Sequence, residues 1–105
     1  MIAARVKFSV LDEVKEQFED IENVKKHLGG LVEVYKKVPG LRKKYFIMDP
    51  ETHDQGAFLV WETREHLDEY LKSDLWKSAV LDICNGKPSI ETYVLSATLE
   101  EGVLL

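Results

Sequence analysis

A single cysteine, Cys84, stands among the 105 residues, so no intrachain disulfide can form, which fits a reducing cytoplasm. Basic residues are in deficit. The chain has 14 Lys and Arg against 19 Asp and Glu, a net charge of −5, whereas nucleic acid selects basic surfaces. No apolar run approaches the ~20 residues of a membrane span. The first ten residues are interrupted by Arg5 and Lys7 and do not read as a secretory leader. A cytoplasmic protein with neither nucleic acid nor membrane as partner is expected. There is no glycine-rich phosphate loop, no serine-nucleophile motif and no paired-carboxylate signature. His53 has Asp49, Glu51 and Asp54 nearby, but the spacing matches no strong ligand pattern, and no metal site is expected. The length and an ordinary composition, 45% hydrophobic and 31% charged, indicate one domain over residues 1–105.

What is present is clean periodicity. Ile2 to Val10 alternates, with Val6, Phe8 and Val10 opposite Arg5, Lys7 and Ser9, and predicts a strand. Val14, Phe18, Ile21, Val24, Leu28, Leu31, Tyr35 and Val38 recur at helical spacing and predict one long helix, with Gly29-Gly30 as a weak point or kink inside it. Pro39-Gly40 ends it. Leu41 to Asp49 predicts a second strand, with Leu41, Tyr45 and Ile47 on one side and Phe46 and Met48 on the other. The polar stretch Asp49 to Gly56 reads as a hairpin loop, and Ala57 to Trp61 as a strand buried on both faces. Thr63 caps a helix from Arg64. Ser73 recaps it after a kink, and Leu75, Trp76, Ala79, Val80 and Ile83 point inward as far as Asn85-Gly86. Pro88 to Leu99 is the last strand and Glu100 to Leu105 a tail.

The order is β-α-β-β-α-β, an α+β, ferredoxin-like four-stranded antiparallel sheet with two helices on one face. Two helices cover one face only, yet the second, third and fourth strands carry apolar residues on both. A homodimer through the sheet faces is therefore expected. Trp61, Tyr70 and Trp76 gather where the third strand meets the second helix, which suits a flat ligand as well as it suits a plain core.

Val60-Trp61-Glu62-Thr63, followed by Leu67, Tyr70-Leu71, Ser73-Asp74 and Trp76, resembles the antibiotic biosynthesis monooxygenase superfamily of dimeric α+β barrels. Val38-Pro39-Gly40, the strand after it, the turn from Glu51 to Gly56 and the strand from Ala57 to Trp61 are similar to the YdhR-type members. The likeness spans roughly Leu31 to Leu99. It implies a barrel of two sheets, with a pocket in each subunit between the sheet and its helices. It also implies oxidation of a phenol or quinol by molecular oxygen without metal or flavin, the substrate anion supplying the electron, so no cofactor is expected. The haem-degrading branch is set aside. Val80 stands where that branch places its iron-ligating His, Tyr70 stands where it places a pocket Trp, and Lys7 to Val10 offer no counterpart of its pocket Asn.

The resemblance makes Tyr70 the pocket-facing phenol. His66, four residues earlier, is the other candidate for handling a substrate proton. Phe8, Trp61, Trp76, Val80 and Tyr45 are the candidates for lining an aromatic small-molecule site, with Tyr45 and Tyr93 assigned to pocket or interface by a register that one residue would invert. Arg5, Lys7, Arg42, Lys43 and Lys44 read as solvated charge on adjacent strands, and Cys84 as buried filler. Besides an oxygenase, two readings remain: a dimeric carrier or sensor of aromatic molecules, and a structural dimer whose hollow holds no more than a few waters.

Overall fold

The computed structural model describes residues 1–100 and 102–104. Four strands, β1 (Ile2–Phe8), β2 (Leu41–Met48), β3 (Gln55–Trp61) and β4 (Ser89–Val94), form one antiparallel sheet in the order β2-β3-β1-β4. Between β1 and β2 run a 3-10 segment, Asp12–Phe18, and α1 (Ile21–Tyr35). Between β3 and β4 run α2 (Arg64–Tyr70), α3 (Asp74–Trp76) and a π-helical turn, Lys77–Leu81. The β-α-β-β-α-β, ferredoxin-like α+β fold read from the sequence is the one observed. Among the described residues no helix is long and apolar enough to cross a membrane.

The single long helix expected from Val14 to Val38 is two pieces. Asp20 adopts extended geometry and its carboxylate accepts the Asn23 backbone N–H at 2.9 Å, so it starts a new helix and bends the chain away from the 3-10 segment. Ile21, expected inward, is consequently 49% exposed. Gly29 and Gly30 face open space, with no atom within 4 Å of where a Cβ would stand, so neither marks a close approach to sheet or ligand. Thr63 and Ser73 cap as expected, accepting the N–H of His66 and of Trp76.

The helix-facing side of the sheet supplies Ala4, Val6 and Phe8 from β1 and Ala57, Leu59 and Trp61 from β3; Trp76, Val80, Leu67 and Tyr70 close over them. Trp76, Val80, Leu75, Ala79 and Ile83 all pack inward as the sequence indicated. Within one chain β3 is covered on one face only: Phe58, on the face away from the helices, is 48% exposed, and this is the face that the expected sheet-to-sheet dimer would cover. One expectation for strands is corrected. A bulge between Leu41 and Lys43 shifts the register of β2, so Leu41 lies opposite Trp61 and packs with Phe46 and Met48, not with Tyr45 and Ile47. The last strand stops at Val94, and Leu99–Glu100 pairs with Val103–Leu104 as a separate hairpin where a tail was expected. The expected tail also includes Glu101 and Leu105, which lie outside the described residues.

Candidate functional site

Between the sheet and its helices lies a cavity of about 50 Å³, room for a few waters, which by itself is the size expected of the structural dimer. Phe8 and Val6 of β1, Phe46 of β2, Tyr35 of α1, Tyr70 at the end of α2, Trp76, and Ala79 and Val80 of the π-helical turn wall it. Leu28, Lys44 and Phe46 also border a larger groove of about 430 Å³ on the outside, between α1 and the edge strand β2. Of α1 only Val24 and Tyr35 are buried, which is why the groove exists: the helix stands off the edge of the sheet. The two spaces share these three side chains, and together they reach the size range of small-molecule sites.

Aromatic contacts organise the wall. Tyr70 stacks tilted on Trp61 with ring centroids 5.2 Å apart and meets Trp76 edge-on at 5.5 Å. Tyr35 meets both Tyr70 and Phe46 edge-on at 6.0 Å. The Tyr35 and Tyr70 hydroxyls share a buried hydrogen bond of 2.8 Å. Loss of either hydroxyl leaves the other buried without its partner, at a cost of about 1–3 kcal/mol. Burial pushes the Tyr35 phenol up, partly offset by the bond to Tyr70. Burial, the nearby Tyr35 and that same hydrogen bond all push Tyr70 further above the ordinary tyrosine range. Both phenols are therefore neutral hydrogen-bonding groups near pH 7. Neither is a base.

The expected residues divide. Phe8, Tyr70, Trp76 and Val80 come together on the cavity wall. Trp61 is fully buried one layer behind, beneath Tyr70, and its Nε1 has no hydrogen-bond partner among the described residues. His66 does not reach the cavity. Its Nδ1 bonds Thr63 Oγ1 at 2.8 Å, and its ring lies against Gly40, whose φ of +76° turns the chain into β2. That contact is structural: a Cβ at Gly40 would run into the imidazole. Tyr45 does not reach the cavity: β2 pairs it with Phe58 on the opposite face of the sheet, 59% exposed, and of the two spaces it touches only the outer groove. Cys84 is buried, as the sequence suggested, and burial pushes its thiol up. His53, at φ 62°, belongs to the β2–β3 turn, where Asp49 accepts the N–H groups of Glu51 and Thr52 and the amine of Lys7, bonds that hold its carboxyl down to about 2. Among the described residues no three His, Cys, Asp or Glu side chains converge as a metal cluster.

Two residues of the wall were missed. Tyr35 closes the apolar stripe of α1 and reads there as core. Lys44 reads as edge charge, yet the bulge aligns it with Leu59, so it faces the helices beside Phe46. Its Nζ lies 3.2 Å from the Tyr35 ring centroid and 4.6 Å from that of Phe46. Burial lowers its amine to about 7, while the electron-rich ring beneath favours the ammonium form.

No family model matches the sequence, and no curated protein is significantly similar to it. Solved structures are. A conserved protein of Methanosarcina mazei Go1 is 21% identical, with 88% of this chain and 89% of that chain covered and a TM-score of 0.62. A provisionally named antibiotic biosynthesis monooxygenase of Nitrosomonas europaea is 16% identical, with 91% and 99% covered and a TM-score of 0.66. Another with that provisional name, from Bordetella bronchiseptica, is 13% identical, with 90% and 95% covered and a TM-score of 0.67. The fold is the one these solved structures share, several of which carry the name antibiotic biosynthesis monooxygenase. At these identities the likeness is one of fold, and it extends the resemblance read from Leu31 to Leu99 over nearly the whole chain.

Proposed function

We propose that the chain is a cytoplasmic, homodimeric monooxygenase that oxidises a phenol or quinol with molecular oxygen, without metal or flavin. The observation that carries this reading is the aromatic wall of Tyr35, Tyr70, Trp76 and Phe8, whose paired hydroxyls sit in a cavity continuous in its lining with an outer groove. The overall reaction balances for a phenol with a C–H para to its hydroxyl. One oxygen atom becomes the second quinone carbonyl, the other leaves as water, and all four electrons come from the substrate. The residues bind the ring, donate a hydrogen bond to the substrate oxygen and exclude water. Either hydroxyl can donate in the Tyr35–Tyr70 bond, and when Tyr35 donates, the neutral Tyr70 is free to be the donor to substrate. The inner cavity alone is too small for a ring, so a bound ring occupies the groove and enters as α1 or the π-helical turn gives way.

A carrier or sensor is the second reading. It is favoured by the position of His66 outside the cavity and by the neutrality of both tyrosines, which leave the residues first named for proton transfer unable to act as base. Oxygen uptake separates the two. The enzyme consumes oxygen with a panel of single-ring and polycyclic quinols, and Tyr70→Phe slows turnover about 100-fold, as expected for loss of a hydrogen bond made in the transition state, while binding weakens much less. Saturable binding with no oxygen consumed by the wild type overturns the oxygenase in favour of the carrier.

A further inference from the structure

We propose that Lys44 accepts the proton of an acidic phenol or enol and holds the resulting anion as an ion pair at the junction of groove and cavity. The inference rests on reading this cavity as the ligand site, and it supplies the base which that reading lacks.

Four observations place the role on this side chain. Lys44 is the only lysine or arginine lining the cavity among the described residues. It borders the outer groove as well, so a ring passing inward meets its amine. Among the described residues it makes no ion pair or hydrogen bond. The nearest features are the faces of Tyr35 and Phe46, which hold the amine in place without neutralising it. The other titratable groups around it are Lys25 and His27 on α1, the neutral Tyr35 and Tyr70, and Tyr45 of β2 at the groove, while β3 and the π-helical turn present only uncharged side chains, Gln55 and Val80 among them. Among the described residues no carboxylate lines either space to compete for the amine, and a half-buried cation with no counter-ion is completed by an anion from outside.

Burial brings the amine to about 7, so it exists near neutrality as free base and as ammonium. The step is a proton transfer from the ligand O–H to Nζ, with no change in electron count. It leaves ammonium and phenolate in contact in an apolar site, where their attraction exceeds its value in water. The ligand class follows: a phenol or enol acidic enough to give its proton to such an amine, and flat enough to lie against Tyr35. The anion so formed is the electron-rich species that the proposed oxidation requires.

The probe is 4-nitrophenol, a single ring with a yellow anion. It is titrated with the intact protein at a pH somewhat below its own ionisation, with calorimetry following binding independently of colour. Binding should develop the anion band in a saturable way. Lys44→Met should abolish the band and weaken binding by about tenfold or more. Lys44→Arg, a permanent cation that cannot take a proton, should bind only the fraction already ionised, so its apparent affinity falls steadily as pH is lowered. Calorimetric binding by wild type without the anion band, or unchanged binding by Lys44→Met with circular dichroism intact, overturns the role of Lys44 and leaves the cavity reading standing. Absence of binding for 4-nitrophenol and for every larger quinol overturns both.

Discussion

A lysine amine half out of water, facing ring carbons and no carboxylate, costs the folded state free energy whenever it is protonated. For Lys44 the sign is definite. The unfolded amine keeps its proton up to about 10.5 and the folded one only up to about 7. Between those values unfolding takes up a proton, so the native state gains stability as pH rises, and below the window the full penalty is present. The buried phenols of Tyr35 and Tyr70, pushed up, act with the opposite sign only above the ordinary tyrosine range. Lys44→Met should therefore unfold at a higher temperature than the wild type at about pH 6, with the gap closing toward about pH 10. Thermal unfolding of both proteins across that range decides it, and parallel curves would show the amine to be well solvated. The alternation of β2 carried a legible signal for this residue, since period two sets Lys44 with Phe46 and Met48. The run Arg42-Lys43-Lys44 masks it as surface charge, and the bulge beside Arg42 breaks the count from Leu41. Phe8, Trp76 and Val80 were readable because strand and helix spacing turn them inward, and Tyr70 through the family resemblance. His66 and Tyr45 were not, because the turn at Gly40 and the β2–β3 register settle where they go.

The elements were legible wherever a cap announced them. Thr63 and Ser73 stand immediately before their helices and do cap them, whereas Asp20 is hidden inside an apolar stripe whose spacing continues through it. That continuity is a product of two helical pieces sharing a phase, and only the cap geometry reveals the break. α1 is also the least secured helix, with two buried residues in its length and two glycines at its centre. Because a Cβ at either glycine meets nothing within 4 Å, Gly29→Ala and Gly30→Ala should each stabilise the protein by roughly 0.5–1 kcal/mol, the helix-propensity difference. Urea unfolding should show the midpoint rising at an unchanged slope. A loss of stability would mean that these glycines serve a packing that brings α1 onto β2 and shuts the groove. Gly40→Ala is the opposite case: the positive φ and the His66 ring against it make it destabilising.

At the scale of the molecule, the sheet has one clothed face and one bare one. Across the bare face the register sets Tyr45, Phe58, Arg5 and Glu91 in one row and Lys43, Val60, Ala3 and Tyr93 in the next. Tyr45, Phe58 and Tyr93 are 59%, 48% and 55% exposed. Arg5 pairs with Glu91, and the Tyr93 hydroxyl also bonds that carboxylate, so the charges on this face are already matched within the chain. A surface whose rings are bare and whose charges are satisfied gains by excluding water and loses little by desolvation. Both signs of charge on one patch also permit a two-fold partner to present the same patch in reverse. The homodimer proposed with the function is thus tested by Phe58→Glu, which sets a second carboxylate against Arg5, already paired with Glu91, and beside Tyr45 at the middle of that face. Sedimentation should show a dimer for the wild type and a monomer for the variant, with helix content and 4-nitrophenol binding retained, since Phe58 points away from the cavity. A wild type that sediments as a monomer at high concentration would require another covering for the bare face. A variant that stays dimeric would place the contact on the edge strands β2 or β4.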